Sequence, residues 1–439
     1  MATHSASRRQ FLKGSLAATA AAPLVLSRLS AADPPKTANS RLTLGFIGVG
    51  TQNRGHLGHF LGVKEVQVLA VCDVDTKRRD NAQQTVEKKY AEAMKSGQYK
   101  GCAAYNDFRE LLNRTDIDAV VIATPDHWHA IPVLEACKAK KDIYCEKPMS
   151  LTIHEAKSMI EAVRKYERVF QTGSQQRSSN EFRLACELVR SGRIGKIKTV
   201  KVDVGSPSRP CNLPEEKLEE GLDWEMWLGQ APLRPYSSVL SPRGVHNHFP
   251  DWRQYREYSG GMMTDWGAHH FDIAQWGLGM DESGPVEIIP PDDPKAERGL
   301  RYVYANGVEM IHGPIDKTVA DFGGVLFIGS DGAIQVNRGK LACKPAEIIK
   351  QPIGEKDVRL YKSPGHQRDW LDCVKSRKRP IADVEIGARS VTVCHLGNLA
   401  YWNHRKLRWD PAKWQFVDDA EADKWLDRDR RDPWQLPKV

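Results

Sequence analysis

The apolar run LTLGFIG at residues 42–48, followed by VGTQNRG at residues 49–55, decides the fold of this chain. The run is short and uninterrupted, which is typical of a strand buried on both faces of a parallel sheet. A second run of the same kind, VQVLAVC, follows at residues 66–72. A strand, a glycine-rich turn, a helix and another buried strand together predict a βαβ unit.

The same alternation continues towards the C-terminus. A charged helical stretch at 76–95 precedes the strand-like AVVIA at 119–123, and a helix at about 131–139 precedes a strand that ends at Cys145. Strands that alternate with helices predict a parallel sheet with helices on both faces. We therefore expect an N-terminal Rossmann domain with a doubly wound parallel sheet over residues 41–172.

The pattern changes after residue 173. A Pro- and Trp-rich stretch at 206–253 is long and irregular, and such segments inside compact proteins are usually functional. The periodic elements predicted around it are a helix at 181–190, strands near 197–204, 300–311 and 323–336, and a late helix at 391–402. The last residues, 406–439, form a tail that packs either on the body of the protein or on a neighbour.

The N-terminus has the pattern of an export signal. The stretch SRRQFLK at residues 7–13 precedes an apolar, alanine-rich run at 14–26 and small residues near 30–32. The apolar run is too short to cross a bilayer as a mature helix, so we expect no stable membrane span. Residues 1–32 therefore predict a twin-arginine signal peptide, with export to the periplasm or another extracytoplasmic space.

Charge and cysteine content exclude several classes of protein. The formal net charge is +8, and four basic residues among the first 32, with no acidic residue there, supply half of it. The remaining balance gives no reason to expect nucleic acid or an anionic membrane as a partner. The nine cysteines form no Cys-x-x-Cys pair, which argues against a disulfide framework and against a structural zinc site.

The glycine-rich turn predicts a dinucleotide site. Gly48 would permit a tight turn, Gly50 would let the backbone approach a pyrophosphate, and Gly55 stands two residues later than in the strict G-x-G-x-x-G pattern. Asp73 ends the second strand, where a carboxylate can accept the ribose hydroxyls of NAD and would repel the 2′-phosphate of NADP. NAD is therefore the expected cofactor, and the basic residues at 77–79 keep NADP as an alternative.

Three further motifs carry a family resemblance. TPDHWHA at residues 124–130 and EKP at 146–148 each follow a Rossmann strand, and GGMMTDWGAHHFD lies at 260–272. In this order and spacing the chain resembles the Gfo/Idh/MocA family, named for glucose-fructose oxidoreductase and inositol dehydrogenase. The resemblance implies a substrate and oligomerisation domain at 173–405, an α/β domain with a large, mostly antiparallel open sheet. It also implies a homo-oligomer, either a dimer or a tetramer, and a carbohydrate or polyol as substrate.

The resemblance also assigns roles to particular residues. It makes Lys147, Asp265 and His269 the catalytic lysine, aspartate and histidine. The further residues that it assigns to the cofactor, together with Lys147, are Thr124, Pro125, His127, His129 and Glu146. For His127 and His129 an alternative is that they are polar residues at the start of a helix.

The chemistry of alcohol oxidation agrees with these assignments. A secondary alcohol loses its hydroxyl proton as hydride leaves the carbon, so a base and a cation are needed at one oxygen. Lys147 can bind that oxygen, and His269 can act as general acid and base, oriented by Asp265. Asp265, His269 and Asp272 fall at i, i+4 and i+7 and would share one face of a helix, with Asp272 contacting substrate hydroxyls.

Two other groups of residues leave alternatives open. Gln176 and Arg177 follow the last Rossmann strand and are expected to contact substrate. Trp224 and Trp227 are either core residues or a wall on which a sugar stacks. A metal site is the rival interpretation of the histidine-rich segments, but no recognised metal-ligand spacing is present and no metal is predicted. The candidate ligands for it are His246, His248, His269, His270 and the two aspartates of the last motif.

Export constrains the function, because little free NAD is available outside the cytoplasm. We therefore expect a tightly bound nicotinamide that is regenerated in each catalytic cycle. The first hypothesis is an oxidoreductase that oxidises one sugar and reduces another. The second is an exported NAD-dependent glycoside hydrolase, which uses transient oxidation, elimination, water addition and reduction. A noncatalytic sugar-binding protein would be expected to lack Lys147 or His269, and both are present.

Overall fold

The computed structural model describes residues 41–439, and the predicted signal peptide at 1–32 lies outside this range. Residues 41–172 are called here the first half of the chain, and residues 173–439 the second half. The first half contains β1 (Leu42–Ile47), β2 (Val66–Cys72), β3 (Ala103–Tyr105), β4 (Ala119–Ile122), β5 (Asp142–Cys145) and β6 (Phe170–Thr172). These strands pair in parallel in the order β3-β2-β1-β4-β5-β6. The predicted doubly wound parallel sheet is confirmed.

Helices cover both faces of this sheet, and local side-chain caps define several of their starts. They are α1 (Thr51–Leu61), α2 (Thr76–Lys89), α3 (Ala91–Lys95), α4 (Phe108–Leu112), α5 (Ala130–Lys138) and α6 (Ile153–Lys165). Asp75 caps α2 by accepting from the backbone N–H of Arg78. Thr152 and Glu155 form a reciprocal capping box at the start of α6.

A second sheet contains nine strands and is open at both edges. Its strands are β7 (Ile197–Val202), β8 (Glu287–Ile289), β9 (Arg301–Val303), β10 (Glu309–His312), β11 (Val325–Gly329), β12 (Ala333–Asn337), β13 (Lys340–Lys344), β14 (Leu407–Asp410) and β15 (Gln415–Phe416). The order is β13-β12-β11-β7-β10-β9-β8-β14-β15. Only the β7–β10 pair is parallel, so the predicted mostly antiparallel sheet is also confirmed.

Helices pack on this second sheet, and one of them also contacts the first half. The helices of the second half are α7 (Asn180–Arg190), α8 (Trp224–Leu228), α9 (Met262–Asp265), α10 (Gly267–Leu278), α11 (Glu347–Lys350), α12 (His366–Ser376), α13 (Val384–Asn403) and α14 (Ala420–Asp423). The helices α7 and α10 pack on the second sheet, and α13 packs on α10 and also on α6 and β6. Within residues 41–439, no helix is both long enough and apolar enough to span a bilayer.

The core of the second half lies between the sheet and these helices. Phe182, Phe271, Tyr302 and Phe327 are fully buried there, in one apolar cluster. All nine cysteines are free thiols in the structure, and seven of them are buried. The cysteines therefore behave as small apolar core residues.

The C-terminal tail packs on the body of the protein. After β14 and β15 extend the second sheet, the chain returns to the Rossmann half. There Arg430 binds the buried carboxylate of Glu155 at 2.9 Å, and Trp434 packs edge-on against Trp128 with ring centroids 5.0 Å apart. Of the two alternatives for this segment, the structure has the intramolecular one.

Candidate active site

A cavity of about 530 Å³ lies at the carboxyl ends of the parallel strands and extends to the second half of the chain. The strand order reverses between β1 and β4, which is where open α/β sheets bind ligands. Predicted site residues that line it are Gly48, Gly50, Asp73, Thr124, Pro125, His129, Glu146, Lys147, Asp265 and His269. Those that do not line it are Gly55, His127, Gln176, Arg177 and Asp272.

The turn after β1 has the geometry of a dinucleotide loop. Gly48 has φ +73°, and a Cβ there would lie 2.8 Å from the Thr124 side chain, so only glycine fits. Gly50 immediately precedes α1, and a Cβ at Gly50 would meet no protein atom within 4 Å. The space beside Gly50 and the N-terminus of α1 is therefore open to an anionic ligand.

Gly55, the third glycine of the predicted motif, lies outside this turn. It is an exposed residue within α1, and nothing lies within 4 Å of its Cβ position. The residue that fastens the turn is Asn53, which is fully buried. Its amide donates to the carbonyl of Gly48 at 2.7 Å and to that of Val121 at 3.3 Å. The two extra residues before the third glycine therefore accommodate an asparagine anchor in α1.

Asp73 holds the glycine turn and faces the cavity. Its Oδ2 accepts from the backbone N–H of Val49 at 2.8 Å, and its Oδ1 accepts from that of Asp75 at 2.9 Å. Arg79 donates to the Asp73 carbonyl at 3.0 Å and to the side chain of Asn106 at 3.1 Å. The carboxylate is thus oriented by backbone groups at the position where Rossmann proteins bind ribose.

Residues 242–248, called here the covering segment, bind the helices that follow β1 and β2. The hydroxyl of Thr51 donates to a carbonyl of this segment at 3.0 Å. Arg54 donates to the side chain of Asn247 at 3.1 Å, and Nε of Arg78 donates to a segment carbonyl at 3.2 Å. Part of the irregular stretch therefore lies across the cofactor side of the cavity.

His129 connects two of the turns that line the cavity. Its Nδ1 lies 2.7 Å from the carbonyl oxygen of Pro148, and its Nε2 lies 3.0 Å from that of Thr124. Burial lowers the pKa of His129, while its contact with the Pro148 carbonyl and the charge of Glu146 oppose that effect. The ring holds the Thr124–Pro125 turn against the turn that carries Lys147.

His127, which the resemblance assigns to the cofactor, is packed among aromatic side chains. It is fully buried, and its ring packs against Trp227 and Tyr258 with centroids 5.5 and 5.2 Å away. Its Nε2 lies 3.0 Å from the Trp227 carbonyl oxygen. Trp224 and Trp227 stack on each other at 4.6 Å in the same apolar cluster, and Trp227 also borders the cavity.

Glu146 lies at the end of β5 within a polar network. Its Oε1 contacts Nε2 of His56 at 2.7 Å and accepts from Gln175 at 2.8 Å and from Gln52 at 3.2 Å. Burial raises the pKa of this carboxyl, but the hydrogen bond and charge of His56 and the charge of Lys147 outweigh burial and lower it to about 2. Glu146 is therefore an ionised neighbour of Lys147.

Lys147 and Asp265 form an ion pair within the cavity. Nζ of Lys147 donates to Asp265 Oδ1 at 2.6 Å and to the Asp265 carbonyl at 3.0 Å. Burial raises the pKa of Asp265, but the charges of Lys147 and Arg253 lower it below its usual value. The pair therefore holds a cation at the end of β5, where Rossmann folds carry their chemistry.

Within residues 41–439, no hydrogen bond or ion pair joins Asp265 to His269, although both residues line the cavity. Asp265 ends α9 and His269 lies in the first turn of α10, and Trp266 between the two helices keeps helical dihedral angles. The carboxylate of Asp265 binds Lys147. His269 is 4% exposed and lines the cavity, and its Nδ1 has no hydrogen-bond partner within residues 41–439. Burial, and then the charges of Lys147 and Arg338, hold its pKa well below the usual value. His269 is thus a neutral imidazole facing the cavity.

Arg177 and Asp272, both predicted to contact substrate, form a buried ion pair with each other. Asp272 is fully buried and Arg177 is 1% exposed. Nε of Arg177 lies 2.8 Å from Asp272, and its Nη2 lies 2.7 Å from Asp281. The hydroxyl of Ser390 also donates to Asp272, at 2.6 Å. The hydrogen bonds of both side chains are made to other protein groups. They join the 3₁₀ helix at residues 175–178 to α10 and α13.

Gln176, also predicted to contact substrate, contacts two residues that line the cavity. The side chain is 3% exposed. In the amide orientation that gives both its nitrogen and its oxygen a partner, Gln176 donates to the His269 carbonyl at 3.2 Å and accepts from Nε of Arg338 at 3.1 Å. Gln176 therefore positions two residues that face the cavity.

Several charged residues that line the cavity were not assigned from the sequence, among them Arg253, Arg338 and Asp126. Arg253 lies in the irregular stretch, and its Nε is 3.6 Å from Asp265 Oδ1. Arg338 lies in the turn between β12 and β13, with its guanidinium 4.5 Å from the centroid of the Trp266 ring. Neither position has a local pattern that would reveal it, although the length of the irregular stretch indicated a functional role.

Asp126 is the third of these residues and lies within the TPDHWHA motif. It is 3% exposed, lines the cavity and accepts from the Ser259 hydroxyl at 2.5 Å. Burial raises the pKa of Asp126 to about 7, against the opposing hydrogen bond of Ser259 and charge of Arg253. Asp126 is therefore a second group, besides His269, whose protonation bears on the chemistry of the cavity.

The histidines considered as metal ligands do not assemble into a site. Within residues 41–439, no cluster of three or more His, Cys, Asp or Glu side chains has the arrangement of a metal site. His246 and His248 lie together in the covering segment, with ring centroids 4.6 Å apart. His270 packs beside Trp266.

Family models match nearly all of the described chain. The model described as an oxidoreductase family with an NAD-binding Rossmann fold matches residues 42–174. The model for the C-terminal alpha/beta domain of the same oxidoreductase family matches residues 207–436. A third model, the twin-arginine translocation pathway signal sequence, matches residues 5–22. The resemblance drawn from the motifs is confirmed.

Solved structures share the fold at low sequence identity. The WlbA dehydrogenase of Bordetella pertussis, solved with NADH and UDP-GlcNAcA, is 16% identical with TM-score 0.57, covering 84% of this chain and 99% of its own. The aldose-aldose oxidoreductase of Caulobacter crescentus is 18% identical with TM-score 0.54, covering 84% of this chain and 100% of its own. These likenesses concern the fold.

Curated relatives match over part of their length. An uncharacterized oxidoreductase, YrbE, of Bacillus subtilis (strain 168) is 28% identical over 45% of this chain and 53% of its own length. The alpha-N-acetylgalactosaminidase of Shewanella oneidensis is 29% identical over 44% of this chain and 45% of its own. The matches thus span about half the length of these relatives.

Proposed function

The chain belongs to the Gfo/Idh/MocA oxidoreductase family, and we propose that it oxidises a secondary alcohol of a sugar or polyol with tightly bound NAD as the oxidant. The observation that carries this proposal is the Lys147–Asp265 ion pair, at 2.6 Å, in the same cavity as the neutral imidazole of His269. A cation and a proton acceptor at one site are what alcohol oxidation requires. A noncatalytic binding protein would need neither.

The residues present fit a dinucleotide. The open space at Gly50 admits a pyrophosphate beside the N-terminus of α1, and the carboxylate of Asp73 can accept ribose hydroxyls. Asp73 disfavours a 2′-phosphate, and the guanidinium groups of Arg78 and Arg79 are already hydrogen-bonded to carbonyls. NAD is therefore preferred over NADP. The hydrogen bonds of the covering segment, residues 242–248, favour slow release of the cofactor.

The protein groups act on the substrate oxygen. A dinucleotide held by the turn at Gly48 and Gly50 and by Asp73 would supply the hydride acceptor for the carbinol carbon. Lys147 donates a hydrogen bond to the substrate oxygen and stabilises the negative charge that develops there. His269 accepts the hydroxyl proton, so the alcohol loses a hydride and a proton and becomes a carbonyl. Asp265 holds the Lys147 ammonium in a fixed direction within the cavity.

The twin-arginine signal sequence at residues 5–22 supports a periplasmic or other extracytoplasmic site of action. A cofactor held through export must be restored without exchange. We infer that the carbonyl of a second sugar accepts the hydride and a proton in the next half-reaction, which returns the cofactor to its oxidised form. Such a cycle consumes no soluble NAD.

A second candidate function is an NAD-dependent glycoside hydrolase. The observation that favours it is the group of curated relatives named as glycosidases, among them the Shewanella oneidensis enzyme at 29% identity. In that cycle the transiently oxidised sugar loses its aglycone, gains water and is reduced again. Lys147 and His269 would serve the oxidation and reduction steps of either cycle.

We also propose a homo-oligomer, a dimer or a tetramer, that assembles through the second sheet. On this sheet Val200, Tyr302 and Met310 face the helices and are fully buried. Their neighbours Val303 and Ile311 point to the opposite face and are only partly buried. Light scattering coupled to gel filtration measures the mass, and a monomer would contradict this proposal.

The experiment that tests the function begins with protein purified in folded form without added nucleotide. Its absorbance spectrum and the nucleotide released on denaturation are expected to reveal NAD(H) in stoichiometric amount. Sugars and polyols are then added to the oxidised form, and nicotinamide reduction is followed by absorbance. Reduction by a sugar supports the oxidoreductase, whereas release of the aryl alcohol from aryl glycosides without net reduction supports the glycosidase. If protein that contains NAD shows neither activity, both proposed functions are contradicted.

A further inference from the structure

Arg338 presents a cationic group to the cavity without a matching anion. It lies in the turn between β12 and β13, and its guanidinium stacks over Trp266 at 4.5 Å. Its Nε is held by the side-chain oxygen of Gln176 at 3.1 Å. Arg338 makes no ion pair with any carboxylate of residues 41–439, the part of the chain that the structure describes. A guanidinium that is positioned but not neutralised is suited to bind an anion.

Arg253 is a second cation that lines the cavity. Its guanidinium stacks over the ring of Trp252 at 4.1 Å. The nearest carboxylate, Asp265, is 3.6 Å away and already binds Lys147 at the shorter distance of 2.6 Å. Lys147, Arg253 and Arg338 therefore all line the cavity. Among residues 41–439, Asp265 is the only carboxylate that forms an ion pair with any of these three cations.

The contacts of both arginines identify the part of the cavity that they serve. Arg253 contacts Asp265, and Arg338 contacts Gln176, which also binds the His269 carbonyl. These are the residues of the reacting end, and they belong to the second half of the chain or to its junction with the first. The two cations therefore adjoin the position of the substrate.

We propose that the substrate is an acidic sugar whose carboxylate binds Arg338 and Arg253. The inference rests on the proposed oxidoreductase function and specifies its substrate class. A guanidinium presents parallel N–H donors that match the two oxygens of a carboxylate, and aromatic stacking fixes the plane of each fork. The ring hydroxyl to be oxidised then lies against Lys147 while the carboxylate is held on the other side.

A bound carboxylate would also improve the base. The charges of Lys147 and Arg338, after burial, hold the pKa of His269 well below its usual value. An anion on Arg338 offsets one of these charges, so the pKa of His269 rises towards the range useful for accepting a proton. An acidic substrate is thus expected to react faster as well as to bind more tightly than its neutral counterpart.

The test uses the holoprotein and matched pairs of sugars: glucuronate with glucose, and galacturonate with galactose. Binding is measured by titration calorimetry, and turnover is measured by reduction of the bound nicotinamide. Each acid is expected to bind at least about tenfold more tightly than its neutral partner. Arg338→Gln is expected to lower the acid-to-neutral ratio of affinities by about tenfold or more, and Arg338→Lys by less because it keeps the charge.

The control variant is Lys340→Gln, which removes a positive charge from the same hairpin at a residue outside the cavity lining. It should leave the acid-to-neutral ratio unchanged. Equal affinity for acid and neutral sugars, a preference for glucose 6-phosphate over glucuronate, or an unchanged ratio in Arg338→Gln would overturn the inference. Turnover confined to neutral sugars would overturn it and leave the proposed function intact. Selective binding of acids with no reduction of NAD would instead contradict the proposed function alone.

Discussion

Lys147 reaches across the chain to Asp265, donating to its Oδ1 at 2.6 Å and to its carbonyl at 3.0 Å. The contact joins the end of β5, in the Rossmann half, to the end of α9, in the second half. Each partner alone would be a partly buried charge in a cavity, and together they hold one cation in a fixed direction. The site therefore exists only when both halves of the chain are folded together.

Replacing Lys147 by alanine is expected to reduce turnover by about 10²-fold or more while the cofactor stays bound. The variant loses the cation that stabilises the developing alkoxide, but the glycine turn and Asp73 are untouched. Single-turnover reduction of the bound nicotinamide measures the chemical step, and nucleotide content after denaturation measures retention. Lys89→Ala, which removes an exposed lysine of α2, is the control and should match the wild type. Wild-type rates in Lys147→Ala would contradict the assigned role.

His269→Asn is expected to slow proton transfer by about 10²-fold, since asparagine keeps a polar side chain in the cavity but cannot accept the hydroxyl proton. The neighbouring histidine offers a matched control. His270 is buried beside Trp266 and does not line the cavity. Once thermal unfolding has established that both variants fold, His270→Asn should retain most of the activity. Equal losses in the two variants would indicate that His269 acts only through packing.

Substitution of Gly50 and of Gly55 by alanine is expected to have opposite effects on NAD binding. Gly50→Ala should fold normally, because its Cβ meets no protein atom within 4 Å, but should lose most of its NAD because the methyl group occupies ligand space. Gly55→Ala should keep NAD and gain up to about 1 kcal/mol in free energy of unfolding, since alanine favours the exposed helix α1. Nucleotide content and chemical denaturation measure the two effects. Full NAD occupancy in Gly50→Ala would argue against a pyrophosphate at this turn.

The sequence predicted the two sheets and the end of the first sheet that carries the site. Short apolar runs such as residues 42–48 are typical of buried parallel strands, and residues that follow such strands gather at one edge. Gly48, Asp73 and Lys147 line the cavity for that reason. Their positions depend only on local pattern and on a general property of parallel sheets, both of which are readable from one sequence.

The partners of these residues could not be predicted in the same way. The i, i+4 spacing of Asp265 and His269 implied one helix face, but the Asp265 carboxylate binds Lys147, 118 positions away in the sequence. The pairing of Asp272 with Arg177 joins residues 95 positions apart, which no local pattern encodes. Arg338 enters the cavity from a hairpin turn and depends on how the second sheet docks against the first half.

Asp126 is expected to make the stability depend on pH near neutrality. Burial raises the pKa of Asp126 to about 7 from an ordinary 3.8, so its contribution is fully present below about pH 4 and is lost as the pH rises through 7. Asp126→Asn removes this dependence while keeping an acceptor for Ser259. The charged groups that bear on it are Arg253, Asp265 and Lys147.

The measurement is the midpoint of thermal unfolding, Tm, for wild type and Asp126→Asn between pH 5 and pH 8. Other buried groups, such as His127 with its pKa lowered to about 3, titrate in both proteins and cancel in the difference. The Tm of the variant relative to wild type should rise with pH across this range. A difference that stays constant with pH would mean that Asp126 is already ionised in the folded protein at pH 5.

Asp272→Ala is expected to lower the free energy of unfolding by about 3 kcal/mol, because the fully buried Arg177 loses a partner at 2.8 Å. Asp281→Asn serves as the comparison. Asp281 binds the same guanidinium at 2.7 Å, but its side chain is 26% exposed, so its loss should cost about 1 kcal/mol or less. Chemical denaturation measures both, and KM for the substrate, corrected for the folded fraction, should stay unchanged in Asp272→Ala. A stable variant with a raised KM would indicate that Asp272 contacts the substrate. It would also show that the ion pair with Arg177 opens during turnover.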